Sequence, residues 1–422
     1  MPVSQPARKA DTPALVLPWV RSQFPALAGP GEQVFCANAG GTFVAEPVLA
    51  ILDDYQRRMR VQPYSRFEPS REAGAAMDRA REGWADALGV PLSQLTFGPS
   101  TSANSYVMAQ ALAPGWEPGD EIVVSVQDHE ANQGAWRRAA AARGVTVREW
   151  PVDPVSGELD PGDLYPLLGP RTRWVFFTQS SNILGSTNPV KAIAAAVRER
   201  SDALVAVDAV AHAPHELCSP AELDVDLYLF SIYKVYGPHQ GLMFLSQAAE
   251  AVATPQCHYF LEGDSHKRFN PAGPQHAAVA GCAGVLDYFD ALAARLGAPE
   301  AAPRRDRLAR VGAAMAAHEA GLAGPLLALL ADRDDVRLLG RPDTTGRSAT
   351  VSFVPARQVP SAVAAGLHRA GIGAESGHFY AHRLLEAMGI DPASGVVRLS
   401  LVHYNSPAEV ERVCEALREA LG

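Results

Sequence analysis

The segment Phe230-Ser231-Ile232-Tyr233-Lys234-Val235-Tyr236-Gly237-Pro238 sets a lysine between two tyrosines, after an apolar run and before Gly-Pro. The chain has only three other lysines, Lys9, Lys191 and Lys267. A lysine partly withdrawn from water has a lowered pKa and a free amine that attacks carbonyl groups. A solvated lysine whose stem packs on the tyrosines is the alternative use. Upstream, polar residues recur at the ends of apolar runs. Gly98-Pro99-Ser100-Thr101-Ser102-Ala103-Asn104 opens a helix, so Thr101 and Ser102 either meet an anion with free N–H groups or simply cap the helix. Gln127-Asp128-His129-Glu130-Ala131-Asn132 offers His129 for stacking on a flat ligand, for proton transfer or as a cap. Asn182, in Ser180-Ser181-Asn182-Ile183-Leu184-Gly185, either donates to an oxygen or forms a turn. Asp208 ends Val205-Ala206-Val207-Asp208, where a buried carboxylate needs a positive partner and a helix cap is the other role.

Taken in order, a helix start suited to phosphate, a histidine, an asparagine, a strand-end aspartate and Ser231-x-x-Lys234 form the set that pyridoxal 5′-phosphate (PLP) requires. Lys234 would bond the aldehyde, and Asp208 would keep the pyridine nitrogen protonated. Thr101, Ser102 and Ser231 would hold the phosphate, His129 would cover one ring face, and Asn182 would reach the phenolic oxygen. The helix start at 98–104 carries neither GxGxxG nor GxxxxGK[ST], which disfavours a dinucleotide or nucleoside triphosphate. Adjacent Asp128, His129 and Glu130 do not converge on one ion, and His212/His215 and His378/His382 lack a third-ligand context, so no metal is expected.

These residues need a scaffold that gathers strand ends. Short apolar runs at 95–98, 121–126, 174–178, 203–208, 227–231 and 242–245 read as strands buried on both faces, with helices between them at 102–113, 132–143 and 189–200. Such alternation predicts an α/β fold with a mainly parallel sheet covered by helices, and ligands bind at the carboxyl ends of such strands. At 422 residues the chain exceeds one ordinary core. The expected division is an N-terminal arm and helix over 1–30, with residues 1–13 mobile, a large domain over 31–295 and a smaller α+β domain over 296–422. A composition 47% hydrophobic and 20% charged fits a globular protein. A net charge of −9 argues against a nucleic-acid partner, and no run of about 18 uninterrupted apolar residues suggests a membrane span. Five scattered cysteines without CxxC predict free thiols in a reducing cytoplasm.

NAGGT (38–42), DHEAN (128–132), SSNILGSTNP (180–189), VDAVAHAPH (207–215), FSIYKVYGPH (230–239) and VRLS (397–400) together resemble the class V aminotransferase family of fold-type I PLP enzymes. The likeness is to its cysteine desulfurase-like branch and runs from about Val34 to the C-terminus. It implies a seven-stranded-type sheet and a homodimer with sites near the subunit interface. It also implies that Arg398 binds the α-carboxylate of an amino-acid substrate, with Asn38, His378 and Tyr380 beside it. Four departures bear on the reaction. In the segment Glu375-Ser376-Gly377-His378-Phe379-Tyr380-Ala381-His382, Tyr380 stands where desulfurases carry the cysteine that takes up sulfur, and Glu375 stands where an arginine is frequent. Tyr233 replaces the histidine before the lysine. The threonine usually lent to the partner's phosphate is missing around Ala272-Gly273-Pro274.

The expected activity is a PLP-dependent lyase that cleaves a Cβ–S bond in a cysteine-derived L-amino acid, with Lys234, His129 and Asp208 catalytic. An aminotransferase and a racemase or epimerase are the alternatives, the last using Tyr380 or His378 as a second proton donor. A scaffold that binds a partner without catalysis is opposed by the retained Lys234, Asp208, His129 and Arg398.

Overall fold

The computed structural model describes residues 13–29 and 33–422. The arm expected over 1–13 lies outside the described residues but for its last position. After β1 (Val34–Phe35), seven strands build the main sheet: β2 (Leu95–Gly98), β3 (Glu121–Ser125), β4 (Thr146–Trp150), β5 (Thr172–Thr178), β6 (Leu204–Asp208), β7 (Leu227–Ser231) and β8 (Gly241–Leu245). Their order is β2-β8-β7-β6-β5-β3-β4. Pairings from β4 through β7 are parallel, and β8 runs antiparallel to both neighbours.

The continuous apolar runs are explained by burial on both faces of the sheet. On β5 to β7, Val175, Phe177, Val205, Val207, Tyr228 and Phe230 enter the core on one face. Trp174, Phe176, Ala206, Leu227 and Leu229 alternate with them and enter the core on the other. Period-two side chains with both faces covered leave no position for a polar residue until the strand ends. The edge strand β4 escapes the apolar criterion because Thr146 and Glu149 are exposed and Arg148 half-buried, as an edge facing water requires.

Register brings those strand ends to one line. Thr178 lies opposite Asp208, Ser231 opposite Gly241, and Gly241 opposite Gly98. The helix Thr101–Leu112 starts directly above this line. Two glycines permit that approach. A Cβ on Gly241 would stand 2.5 Å from the carbonyl carbon of Ser100, and one on Gly98 would overlap the Asn104 amide at 1.9 Å.

A second core is built on an antiparallel sheet, order β12-β13-β10-β9, from β9 (Val336–Leu338), β10 (Thr350–Pro355), β12 (Glu375–Gly377) and β13 (Val396–Ser400). Helices Pro360–Arg369 and Pro407–Leu421 cover it, the latter opened by a reciprocal cap between Ser406 and Glu409. β1 pairs in parallel with β11 (Ile372–Gly373), so Val34 and Cys36 pack in this second core. The helix Arg304–Ala331 serves both cores. Leu308, Val311, Ala314 and Met315 join the main one, and Leu322, Leu326, Leu327 and Leu330 the second. That helix and the helical stretch 276–295 are long and apolar enough to cross a membrane by composition. Here their apolar residues pack in the cores.

The tight contact at Gly241 predicts that Gly241→Ala destabilises the fold by about 1–3 kcal/mol, because backbone at Ser100 must move. Gly321→Ala, in open space on the long helix, should instead stabilise by up to about 1 kcal/mol. Urea denaturation of the two variants checks the contrast.

Candidate active site

The aligned strand ends enclose a cavity of about 420 Å³ lined by Thr101, Ser102, His129, Ala131, Thr178, Ser180, Asn182, Asp208, Val210, Ala211, Ser231, Tyr233 and Lys234. Seven residues expected to hold a cofactor are thus brought together: Thr101, Ser102, His129, Asn182, Asp208, Ser231 and Lys234. Ser100 caps the helix, accepting from the Ala103 N–H at 3.2 Å. Thr101 and Ser102 therefore occupy its first turn. The Thr101 hydroxyl is 2.8 Å from that of Ser231, and the Thr101 N–H also donates to Ser231 Oγ at 3.2 Å. Ser102 is exposed, with its hydroxyl at the positive end of the helix. Beneath this loop the buried Asn104 Nδ2 has no hydrogen-bond partner.

Lys234 ends a short 3-10 turn, Ile232–Lys234, that follows β7. Its flanks are pinned. Tyr236 adopts a left-handed φ of 61°, donates its N–H to Thr42 Oγ1 at 2.9 Å and its hydroxyl to the Pro214 carbonyl at 2.6 Å. Thr42 N–H donates in turn to the Tyr233 carbonyl at 3.2 Å. The Tyr233 ring stacks on His239 with centroids 4.6 Å apart. The glycine-containing segment at 38–42 thus clamps the lysine turn.

Burial dominates the electrostatics. It lowers the Lys234 pKa to about 8, helped by the nearby Arg398 charge and opposed by Asp208. Burial raises Asp208 to about 6 against the Val210 N–H and Lys234, which favour the carboxylate. That N–H donates to Oδ1 at 2.8 Å, leaving the other oxygen for a ligand. His129 is pushed down to about 3 by burial, then by Lys234 and Arg398, so it is a neutral ring at physiological pH. Its Nδ1 accepts from the Ala131 N–H at 3.0 Å, which fixes the tautomer with hydrogen on Nε2.

Three of the four residues expected to meet a substrate, Arg398, His378 and Tyr380, form a second tier beside the cavity. Arg398, on β13, is buried and donates to the Asn182 carbonyl at 3.1 Å. Its guanidinium lies 3.7 Å from the centre of the Phe379 ring, and Glu375 is its cross-strand neighbour. Burial lowers its pKa to about 9, opposed by the Glu375 charge. Asn182 Nδ2 donates to the Phe379 carbonyl at 2.9 Å. Phe379 and Tyr380 both adopt left-handed backbone, with φ of 47° and 59°, which strains non-glycine residues. That turn lays the exposed Tyr380 against His129 at 5.1 Å between ring centres. His378 is half-buried, and its Nδ1 accepts from the Tyr380 N–H at 3.0 Å. Asn38 does not join them. Its amide donates to the Ser400 carbonyl at 2.8 Å and to Asn405 Oδ1 at 3.2 Å, and its oxygen accepts from the Tyr404 hydroxyl.

The sequence matches the Aminotransferase class-V family over residues 34–295 and 306–413. The chain belongs to that family. An aminotransferase-like protein of Gibberella zeae is 35% identical, covering 95% of this chain and 98% of the relative. A probable cysteine desulfurase of Pseudomonas putida is 30% identical over 96% of this chain and 98% of its own length. The fold matches the Escherichia coli cysteine desulfurase CsdA with a TM-score of 0.80 at 24% identity, covering 96% and 98% of the two chains. The class-V chain is thus a fold-type I enzyme fold, and PLP is its cofactor. The residues fit that group: a buried amine, a buried carboxylate with one free oxygen, a neutral ring and a helix start share one cavity.

Six lining residues fall outside the expected cofactor set: Ala131, Thr178, Ser180, Val210, Ala211 and Tyr233. Thr178 ends β5 beside Asp208 and donates to the Ser180 carbonyl at 2.8 Å. The strand-end rule that found Asp208 applies equally to Thr178. Asp128, considered above beside His129 and Glu130, lies outside the cavity lining. It is buried, accepts from Asn132 Nδ2 at 2.8 Å and from the Ser125 hydroxyl, and burial raises its pKa well above the usual range.

The lowered Lys234 pKa gives a pH signature. Only the neutral amine reacts with acetic anhydride, so the rate constant for acetylation of Lys234 in the cofactor-free protein should rise about tenfold per pH unit and level off above about pH 8. Free Nα-acetyl-lysine should keep rising toward about pH 10. Peptide mapping resolves the site, and continued rise above pH 9 at Lys234 contradicts the burial.

Proposed function

We propose that this class-V enzyme is a PLP-dependent β-eliminating lyase that breaks a Cβ–S bond in a cysteine-derived L-amino acid without a protein persulfide. The observation that carries the reading is the make-up of the wall above His129. None of the five cysteines lines the cavity, and the residue leaning over it is Tyr380, whose phenol cannot accept sulfur. Cys36, Cys282 and Cys414 are buried, and burial raises the Cys218 thiol to about 11. These thiols are poorly suited to nucleophilic attack.

Bound in this cavity, PLP supplies an electron sink for the pair left when the substrate Cα–H bond breaks. Arg398 meets the substrate carboxylate with a planar fork whose orientation is set by the Asn182 carbonyl and the Phe379 ring. Lys234 Nζ would be the base that takes the Cα proton. Its lowered pKa keeps a useful fraction as free amine near neutral pH. Asp208, through its unengaged oxygen, would hold a proton on the pyridine nitrogen and so strengthen the sink. His129 is uncharged and packs as a flat surface rather than as a competing acid. The Cβ–S bond then breaks with its electron pair on sulfur, which leaves as thiol after protonation. The remaining three-carbon product hydrolyses to pyruvate and ammonia. A homodimer, as the family resemblance implies, in a reducing cytoplasm, as the five free cysteines suggest, completes the proposal.

The deciding assay incubates the holoenzyme with a panel of cysteine conjugates and no keto acid. Pyruvate and ammonia in equal amounts support elimination, and strict dependence on an added keto acid assigns transamination instead. Persulfide on the protein after turnover with cysteine, found by mass spectrometry, would sink the proposal.

Arg398→Lys should raise KM at least tenfold while changing kcat less, because one ammonium cannot replace the bidentate fork. A change confined to kcat would remove Arg398 from carboxylate binding. Steady-state kinetics on the best substrate of the panel reads the split.

A further inference from the structure

Behind the cofactor cavity lies a second one of about 810 Å³, lined by Thr187, His212, His215, Glu216, Glu319 and Arg347 among others. The two share a wall. Ser180 lines the first cavity, and its hydroxyl is 2.9 Å from Thr187 Oγ1 and 3.1 Å from His212 Nδ1. On the far side of the imidazole, His212 Nε2 is 3.4 Å from Cys218 Sγ and 3.8 Å from Glu216 Oε2. The turn after Asp208 produces this cluster, because the Glu216 N–H donates back to the His212 carbonyl at 3.2 Å and stacks the two side chains.

We propose that His212, Glu216 and Cys218 form a binding site for Zn²⁺, with water in the fourth position. All three donor atoms lie within 4.8 Å of one another. A tetrahedral zinc with bonds of about 2.0–2.3 Å holds such atoms about 3.3–3.7 Å apart, so only small adjustments are needed. Thiolate, imidazole and carboxylate together suit zinc rather than magnesium or calcium.

Outer contacts are already in place. With hydrogen on Nδ1 the imidazole donates to Ser180 Oγ and turns a lone pair on Nε2 toward the site. Gln179 Nε2 donates to Cys218 Sγ at 3.4 Å, as a thiolate favours, and Gln179 is itself oriented by the Tyr228 hydroxyl at 2.6 Å. Glu216 is exposed, which opens the fourth position to water.

A buried polar group on the same lining lacks a partner. Glu319 is 3% exposed and lines the same cavity, yet its Oε1 has no partner, while Oε2 is held by His215 at 2.6 Å. A buried carboxylate oxygen left without a donor is costly unless a cation or its bound water faces it. The one guanidinium in this lining, that of Arg347, is engaged by the Leu184 and Thr350 carbonyls at 2.9 and 2.6 Å. The site's existence does not rest on the elimination reading, since none of its ligands touches the amine or the carboxylate of the first cavity.

The test uses PLP-loaded protein freed of metal by chelator and titrated with Zn²⁺ in a calorimeter. One zinc per chain is expected, with binding weakened at least tenfold in Cys218→Ser and in Glu216→Gln. The second change lies at an exposed side chain, which keeps the test readable if the first fails to fold. Co²⁺ in place of Zn²⁺ should give a thiolate-to-metal absorption band in the near ultraviolet that Cys218→Ser lacks. Absence of binding in the unaltered protein, or binding that survives both substitutions, overturns the assignment.

Discussion

The structure turns on the withdrawal of one amine and one carboxylate from water at the same height in a sheet. Lys234 and Asp208 are both buried, and neither forms an ion pair with the other close enough to cancel its desolvation. Each is instead displaced toward its neutral form. Such a state is unfavourable for the protein alone and favourable for a ligand that brings a reactive carbonyl to one and a protonatable ring nitrogen to the other. Arg398 sharpens the imbalance, since its charge depresses both Lys234 and His129. The cavity is therefore poised for an anionic ligand with a flat ring.

Everything else in the main sheet can be read as fixing that height. Two-sided burial of β5, β6 and β7 forces polar residues to the strand ends, and the parallel register sets Thr178 beside Asp208. The antiparallel β8 begins with Gly241 beside Ser231 and Gly98, which admits the start of the helix Thr101–Leu112. A side chain at either glycine would lift the helix start away from the lysine. Long-range clamps do the rest. Thr42 ties the N-terminal segment to Tyr233 and Tyr236, residues almost two hundred positions later.

This explains which parts were legible in the sequence. Strand-end residues such as Asp208, Ser231 and Lys234 could be read because a buried strand is a continuous apolar run and its end is a change of composition. The edge strand Thr146–Trp150 could not, because water on one side dilutes that signal with Arg148 and Glu149. Asn38 was placed at the substrate on resemblance, yet its amide closes a network with Ser400, Tyr404 and Asn405 that only tertiary structure creates. The cluster of His212 with Glu216 and Cys218 was hidden for a similar reason. Sequence spacing drew attention to His212 with His215, whereas the turn directs His215 to Glu319 instead.

The second core is more than a cover. Arg398 on β13, Glu375 on β12, and Phe379 and Tyr380 just beyond it belong to one sheet and its following turn. The Arg398 guanidinium and the phenol that leans on His129 are therefore carried by the same body. They are linked to the main sheet at Asn182, whose carbonyl meets Arg398 and whose amide meets Phe379. Asn182 sits in the loop after β5, two residues beyond Ser180, the residue shared with the His212 wall. One short loop thus touches cofactor cavity, substrate tier and rear cavity, because parallel strands deliver their loops to a single edge. Chemistry that requires several groups in one place gathers at that edge, and so does any control over it.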